Sequence, residues 1–404
     1  MGIKGPRSAL SQFLEEENIK VVNKEKTQAT SPSQPLVVRK GPKRLKFSHP
    51  TEIVNIVDKT SLKDKILDKI HETPCQYNFT DDQLLEYSLY LYKKIDLTQE
   101  IFDHLASCAK ERLYVYDCSN ILNFDGIKGL KYLHLGYCGQ MRNKHMDLLL
   151  KNNPDLVSLN LEGAFLLENL NLSKHCNLRD LSVRECSRLT NSFIDHLNTH
   201  SKLDLLDISH CFAITKKAQL KIDIKCLKLD RVAVTTRFFK QIDILKIEEL
   251  SISNCPFLFK NGKNKLKLKK FRSLKKLNIE GISEISKVKI KNLEKLHAHN
   301  CFNIHLSSKY KNLTHLDVSN INLSQSQLNK ILKYKKLEYL NLSFSQIVDD
   351  QFVLDVLKNS PKIKTIVVFG CFQLTEKLGE LAWQIKDSIK IIGNHAETKF
   401  LLQN

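Results

Sequence analysis

A six-residue pattern, L-x-L-x-x-C or a close variant, recurs twelve times along this 404-residue chain. It reads LYVYDC from Leu113, LHLGYC from Leu133, LNLEGA from Leu159 and LSVREC from Leu181. LDISHC from Leu206, LKLDRV from Leu227, LSISNC from Leu250 and LNIEGI from Leu277 follow. The series closes with LHAHNC from Leu296, LDVSNI from Leu316, LNLSFS from Leu340 and IVVFGC from Ile366. Successive units begin 19 to 27 residues apart. A chain this long exceeds one ordinary hydrophobic core, so either several domains or a repeat array is expected, and the recurring pattern selects the array.

The spacing dictates the geometry. Two apolar positions, two apart, point to one side of a short strand, and the Cys or small apolar residue that follows turns inward. No unit can bury its apolar side alone, but stacked units form a solenoid with a parallel sheet on the concave side. A period in this range is that of leucine-rich repeats, here of the Cys-ended type. The expected fold class is therefore an α/β solenoid. Segments between strands read partly as helix: in Asn191 to His200, NSFIDHLNTH, the residues Phe193, Ile194 and Leu197 share one face. Seven units end in Cys, at Cys118, Cys138, Cys186, Cys211, Cys255, Cys301 and Cys371. These read as buried ladder residues that need reducing conditions, hence cytosol or nucleus.

The solenoid is expected over residues 113–404, with a C-terminal cap from about residue 372 in which SIKIIGN, Ser388 to Asn394, forms a last degenerate strand. Residues 61–112 read as a helical cap. There SLKDKILDKIHE spaces Leu62, Ile66 and Ile70 four apart, with Leu67 adjacent, and Asp81 and Thr98 stand as helix caps of the next two segments. Residues 20–60 are polar and basic and read as a flexible leader. Residues 1–19 contain KGPRSALSQFLEEENI, in which Leu10, Phe13 and Leu14 share one helical face behind Ser8 as a cap. A helix that short is marginal alone, which suits either a linear motif that docks on a partner or a terminus that packs on its own domain.

The x positions of the repeat are expected to project from the concave sheet. They hold seven acids, Asp117, Glu162, Glu185, Asp207, Asp230, Glu280 and Asp317, against three bases, Arg184, Lys228 and Arg231. A phosphate backbone would not choose such a surface. Tyr114, Tyr116, His134, Tyr137, Phe344 and Phe369, with Glu162, Arg184 and Asp207, suit a protein partner instead.

The chain as a whole carries a net charge of +19, yet only 11 of its 63 basic residues are Arg, the residue suited to planar phosphate recognition. The densest basic run, Lys260 to Lys276, has nine bases and no acid in seventeen residues and falls between strands, on the expected convex side. Lys263, Lys265, Lys267, Lys269, Lys270, Arg272, Lys275 and Lys276 form a candidate DNA patch, an acidic-protein site or a solvated face. RKGPKRLK, Arg39 to Lys46, has the composition of a nuclear-import signal. His297, His299, Cys301 and His305 do not converge, because Cys301 points to the core, so no metal is expected. No Gly-rich phosphate loop, paired C-x-x-C or nucleophile elbow occurs, and neither a cofactor nor catalysis is expected. No apolar run approaches a membrane span.

Two resemblances sharpen the reading. Ser61-Leu62, with Ile66 and Ile70 four and eight positions beyond Leu62, resembles an elongin-C-binding box, departing at Ile66, where such boxes usually carry Cys. The opening KGPRSALSQFLEEENI, the internal DCSNILNFDG, CGQM and LVSLNLEGAFL, and the terminal VVFGCFQLTEK with IIGN together resemble the leucine-rich-repeat family of fungal global-genome nucleotide excision repair. That resemblance implies a nuclear, non-enzymatic scaffold or recognition subunit. Its implied partners are a Swi/Snf-type ATPase with a RING finger and elongin C with a cullin in a ubiquitin ligase; direct binding of damaged DNA through a basic patch is a separate, open reading. The leader lacks the family's long acidic, Ser-rich stretch. Two alternatives stand beside it: a ubiquitin-ligase substrate adaptor outside repair, although no convincing F-box precedes Leu113, and a plain interaction solenoid.

Overall fold

A computed structural model describes residues 62–94, 97–200, 202–259, 266–386 and 388–393, apart from the side chains of Leu62, Lys63 and Pro256. The expected docking motif with Leu10, Phe13 and Leu14, the leader with its Arg39–Lys46 run, and Lys263 and Lys265 lie outside these residues.

Each repeated triplet forms a short strand. In order these are β1 (Arg112–Val115), β2 (Tyr132–Leu135), β3 (Ser158–Asn160), β4 (Asp180–Ser182), β5 (Lys202–Asp207), β6 (Asp223–Lys228) and β7 (Glu249–Ser251). Then come β8 (Lys276–Asn278), β9 (Lys295–His297), β10 (His315–Asp317), β11 (Tyr339–Asn341), β12 (Thr365–Val367) and β13 (Lys390–Ile392). They make one parallel sheet in sequence order. The register keeps the first leucines in line: Leu113 pairs with Leu133, Leu133 with Leu159, and so on to Leu340 with Ile366. Ile366 then pairs with Ile391 of β13, the expected degenerate strand.

The core runs along one side of this sheet. Both apolar residues of each triplet are buried, and so are all seven ladder cysteines. Burying one such leucine contributes about 1.5–3 kcal/mol. The thiols also bind the neighbouring unit: Cys211 Sγ donates to the Val183 carbonyl at 3.1 Å, Cys255 to Leu229 at 2.9 Å and Cys301 to Ile279 at 3.0 Å.

The residue just before the Cys position leaves the strand in the left-handed conformation. This holds from the second unit to the twelfth, at Tyr137, Gly163, Glu185, His210, Arg231, Asn254, Gly281, Asn300, Asn320, Phe344 and Gly370. Gly and Asn are natural there; the larger residues are held by packing. The third x position is therefore not a plain sheet position, as the strand pattern had implied, but the corner of a turn.

Among the described residues, helices fill the longer intervals: α4 (Asn143–Asn152), α5 (Asn191–Leu197), α6 (Gln325–Ile331), α7 (Asp350–Asn359) and α8 (Leu378–Ile385). A helix rises only about 1.5 Å per residue, so a return path needs extra residues to contain one. Ahead of the sheet stand α1 (Leu62–Glu72), α2 (Asp81–Lys94) and α3 (Gln99–Cys108). Thr98 caps α3 as expected, its hydroxyl accepting from the Ile101 amide at 3.3 Å.

Asp81 does not cap α2. Thr80 does, exchanging bonds with Gln83: the Thr80 amide donates to Gln83 Oε1 at 2.9 Å and the Gln83 amide to Thr80 Oγ1 at 3.4 Å. The Asp81 carboxylate instead accepts from the amides of Lys110, Glu111 and Arg112, each at 3.0 Å. It fastens α2 to the start of β1, using amides that the sheet edge leaves free.

Candidate functional site

Two surfaces collect the residues singled out by sequence. The first is on α1. Ile66 and Ile70, one helical turn apart, line a groove of about 430 Å³ with Tyr77, Phe79, Glu86 and Tyr87. Leu67, on the adjoining face, is buried and anchors the helix. Polar bonds fix its orientation: Tyr90 Oη donates to Asp68 at 2.5 Å, Lys94 Nζ lies 3.1 Å from Asp68, and His71 Nδ1 meets Tyr87 Oη at 2.8 Å. The Tyr90 hydroxyl, and after it the Lys94 ammonium, hold the Asp68 carboxyl below its ordinary range. Ile66 is 52% exposed, while Ile70 is half-buried against the core. Of the three expected box residues, one is open to a partner, one is shared with the groove wall, and the Leu62 side chain lies outside the described residues.

The second surface is the solvent side of the sheet. At its first strands the Tyr116 and His134 rings lie 5.2 Å apart, Tyr114 and His134 6.3 Å, and Tyr92 of α2 closes on Tyr116 at 6.0 Å. Beyond them Arg184 Nε sits 3.1 Å from Glu162 and 3.5 Å from Glu185. Burial raises the Glu162 carboxyl against the pull of Arg184 and lowers the His134 imidazole. Tyr137 and Phe344, at turn corners, are 44% and 56% exposed, whereas Phe369 is half-buried.

Asp207 is only 7% exposed and is not the free surface charge expected of an x position. Its carboxylate accepts from the Ser209 amide at 2.9 Å, and Lys228 lies 4.0 Å away. Asp230 likewise accepts from Ser251 Oγ at 2.6 Å and the Ser253 amide at 2.8 Å. These acids brace the strand exits, so residue counting overstated the free negative charge.

A further row was missed. The residue before each first leucine shares the outward face, which places Tyr132, Asp180, Glu249, Lys276, Lys295 and His315 there. His315 stacks on Tyr339 at 6.0 Å and 19°. The alternation of the strand, carried one residue further back, would have found them. This row brings both signs of charge and makes the face less acidic than expected.

The basic run is divided. Lys267, Lys269, Lys270 and Arg272 are exposed around a short 3-10 turn (Leu268–Lys270). Lys275 and Lys276 instead pair with Glu248 at 2.7 Å and Glu249 at 2.8 Å, and Lys276 belongs to β8 rather than to the opposite side. The histidines near Cys301 have other contacts: His299 Nδ1 meets Ser319 Oγ at 2.8 Å and His305 Nδ1 meets the Asn303 carbonyl at 3.0 Å. No group of potential metal ligands occurs among the described residues, and no helix there is long and apolar enough to cross a membrane.

No protein-family model matches the chain. It is 23% identical over 361 residues to the DNA repair protein RAD7 of Saccharomyces cerevisiae, a match covering 78% of this chain and 60% of that protein. The chain thus spans about 60% of that curated relative's length. Among solved structures it is similar to a chain in the crystal structure of the yeast Rad7 and Elc1 complex, with a TM-score of 0.56 and 20% identity, over 84% of this chain and 99% of that one. An internalin (inlF) from Listeria monocytogenes aligns with a TM-score of 0.43 and 16% identity, over 79% of this chain and 92% of the other.

Proposed function

We propose that this chain, RAD7-like in sequence and a leucine-rich-repeat solenoid in fold, is a non-enzymatic scaffold of nuclear nucleotide excision repair. The similarity to RAD7, running along most of the chain, is the observation that carries the reading. The yeast complex pairs Rad7 with Elc1, and Elc1 is the elongin C anticipated from the Leu62, Ile66 and Ile70 spacing. The exposed Ile66 on an anchored helix supports α1 as the corresponding contact here. A cullin would join through elongin C. A Swi/Snf-type RING-finger ATPase is the proposed partner of residues 1–19, with Leu10, Phe13 and Leu14 as its anchors. Damaged DNA is the proposed ligand of the exposed Lys267, Lys269, Lys270 and Arg272 with Lys263 and Lys265.

The test is co-expression with the host's elongin C and the RING-bearing ATPase, with purification through a tag on this chain. Leu62→Asp, Ile66→Asp and a deletion of residues 1–19 run beside the wild type. The reading requires both partners to co-purify with the wild type. The two α1 variants should lose elongin C alone, and the deletion should lose the ATPase alone. A folded, monodisperse chain that retains neither partner would overturn it. Charge reversal at Lys267, Lys269 and Lys270 should abolish salt-sensitive duplex binding; unchanged binding would remove that patch from the assignment.

A further inference from the structure

The sheet face has a built end. Where α2 abuts β1, Ser88, Tyr92, Tyr116 and Asp117 line a cleft whose floor and walls also include the apolar Leu91, Leu97 and Val115. It is small, about 20 Å³, room for one water or one ammonium group. Ser88 is 2% exposed and its hydroxyl has no hydrogen-bond partner. A buried hydroxyl without a partner costs free energy, and this one lines an opening. Asp117 uses one carboxylate oxygen to accept from the Ser119 amide at 3.0 Å. The Tyr92 and Tyr116 rings, 6.0 Å apart and tilted by 48°, form the wall, with His134 behind Tyr116. A carboxylate, a hydroxyl and aromatic faces around one small space are the surroundings of a bound cation.

We propose that this cleft seats the ammonium group of a Lys side chain of an extended partner peptide that lies across the sheet face. Strands are about 4.8 Å apart, and alternate residues of an extended peptide about 7 Å apart. A peptide anchored at β1 and running across the strands therefore carries its next same-side residues over β2 to β5. There Glu162 and Glu185 flank Arg184. Both acids are engaged by Arg184, which makes Asp117 the principal anchor. The chain's net charge of +19 opposes basic peptides elsewhere on the molecule, so capture of one requires a local site. Nothing in this inference depends on the repair assignment; an interaction solenoid of any purpose would have the same cleft.

The experiment is fluorescence anisotropy of the full chain with a labelled nine-residue peptide alternating Lys with Gly and Ser. A second peptide replaces each Lys with Gln. The lysine peptide should bind and the glutamine peptide should not. Asp117→Asn keeps an acceptor for the Ser119 amide but removes the charge, and should weaken binding about tenfold. Tyr116→Ala should weaken it by a comparable factor. Asp195→Asn, which removes the same charge from an exposed position on α5, should leave it unchanged. Thermal melts of each variant separate lost binding from lost folding. Equal binding of the two peptides, no binding of either, or wild-type affinity in a folded Asp117→Asn chain would each overturn the proposal.

Discussion

The ring of Phe344 lies across Gly370, so that a Cβ added to the glycine would come within 2.6 Å of Phe344 Cδ1. The two residues hold the same place in successive units, and both are left-handed, at φ 64° and 64°. Tyr137 covers Gly163 in the same way, at 2.9 Å. At these two places an aromatic ring at one corner lies over the glycine at the next.

Gly370→Ala should therefore lose on two counts, backbone strain and contact with the ring, together about 1–3 kcal/mol. Phe344→Ala alone, at an exposed position, should cost less than about 1 kcal/mol. The double variant should be less destabilised than the sum. Urea denaturation of the four proteins measures that coupling, and simple additivity would show that the two corners are independent.

The ladder thiols should be inert while the chain is folded. Burial pushes Cys138, Cys211 and Cys255 up to about 12, and only the thiolate alkylates. Iodoacetamide at pH 8 should modify the exposed Cys75 and Cys176 and reach the ladder only in denaturant, as peptide mass mapping would show. Cys255→Ala, which removes the thiol bonded to the Leu229 carbonyl, should cost about 1–2 kcal/mol.

Asp81 should matter more than the cap beside it. Asp81→Ala leaves three amides without their acceptor and should cost about 2–3 kcal/mol. Thr80→Ala should cost about 1 kcal/mol. Equal losses in a denaturation series would mean that the clasp between α2 and β1 adds nothing beyond helix capping.

Acid should destabilise the solenoid through its histidines. His134, His145, His200, His210 and His315 are all lowered, with burial the foremost cause in each. A lowered imidazole gives its full contribution above the unfolded value of about 6.5, and that contribution is lost as pH falls toward the folded value. Glu162 and Asp230, raised by burial, act oppositely: they lose stability as pH rises through their folded values, so acidification below that range returns it. Unfolding free energy should thus fall between about pH 7 and 5. His134→Gln should flatten part of that slope; an unchanged slope would exclude His134 as a contributor.

The sequence by itself determined the strands, their order and the buried ladders. Strand alternation and a repeated unit are local properties: Leu113, Leu133 and their successors could be aligned without knowing the fold, and stacking is the one way to bury them. The same local rule, stopped one residue short, missed Lys276, Lys295 and His315 on the outer face. What only the tertiary structure decided is what each polar residue does. Asp81 looked like a helix cap and is a clasp between α2 and β1, because its amide partners lie 29 to 31 residues away. Asp207 looked like free surface charge and braces a turn. Ile66 and Ile70 looked equivalent, yet one is open and the other rests on the core. The cleft at Ser88 and Asp117 unites a helix and a strand whose relation no periodicity encodes. Burial patterns repeat along a chain, whereas hydrogen-bond partners and clefts are set by which neighbouring unit supplies the missing group.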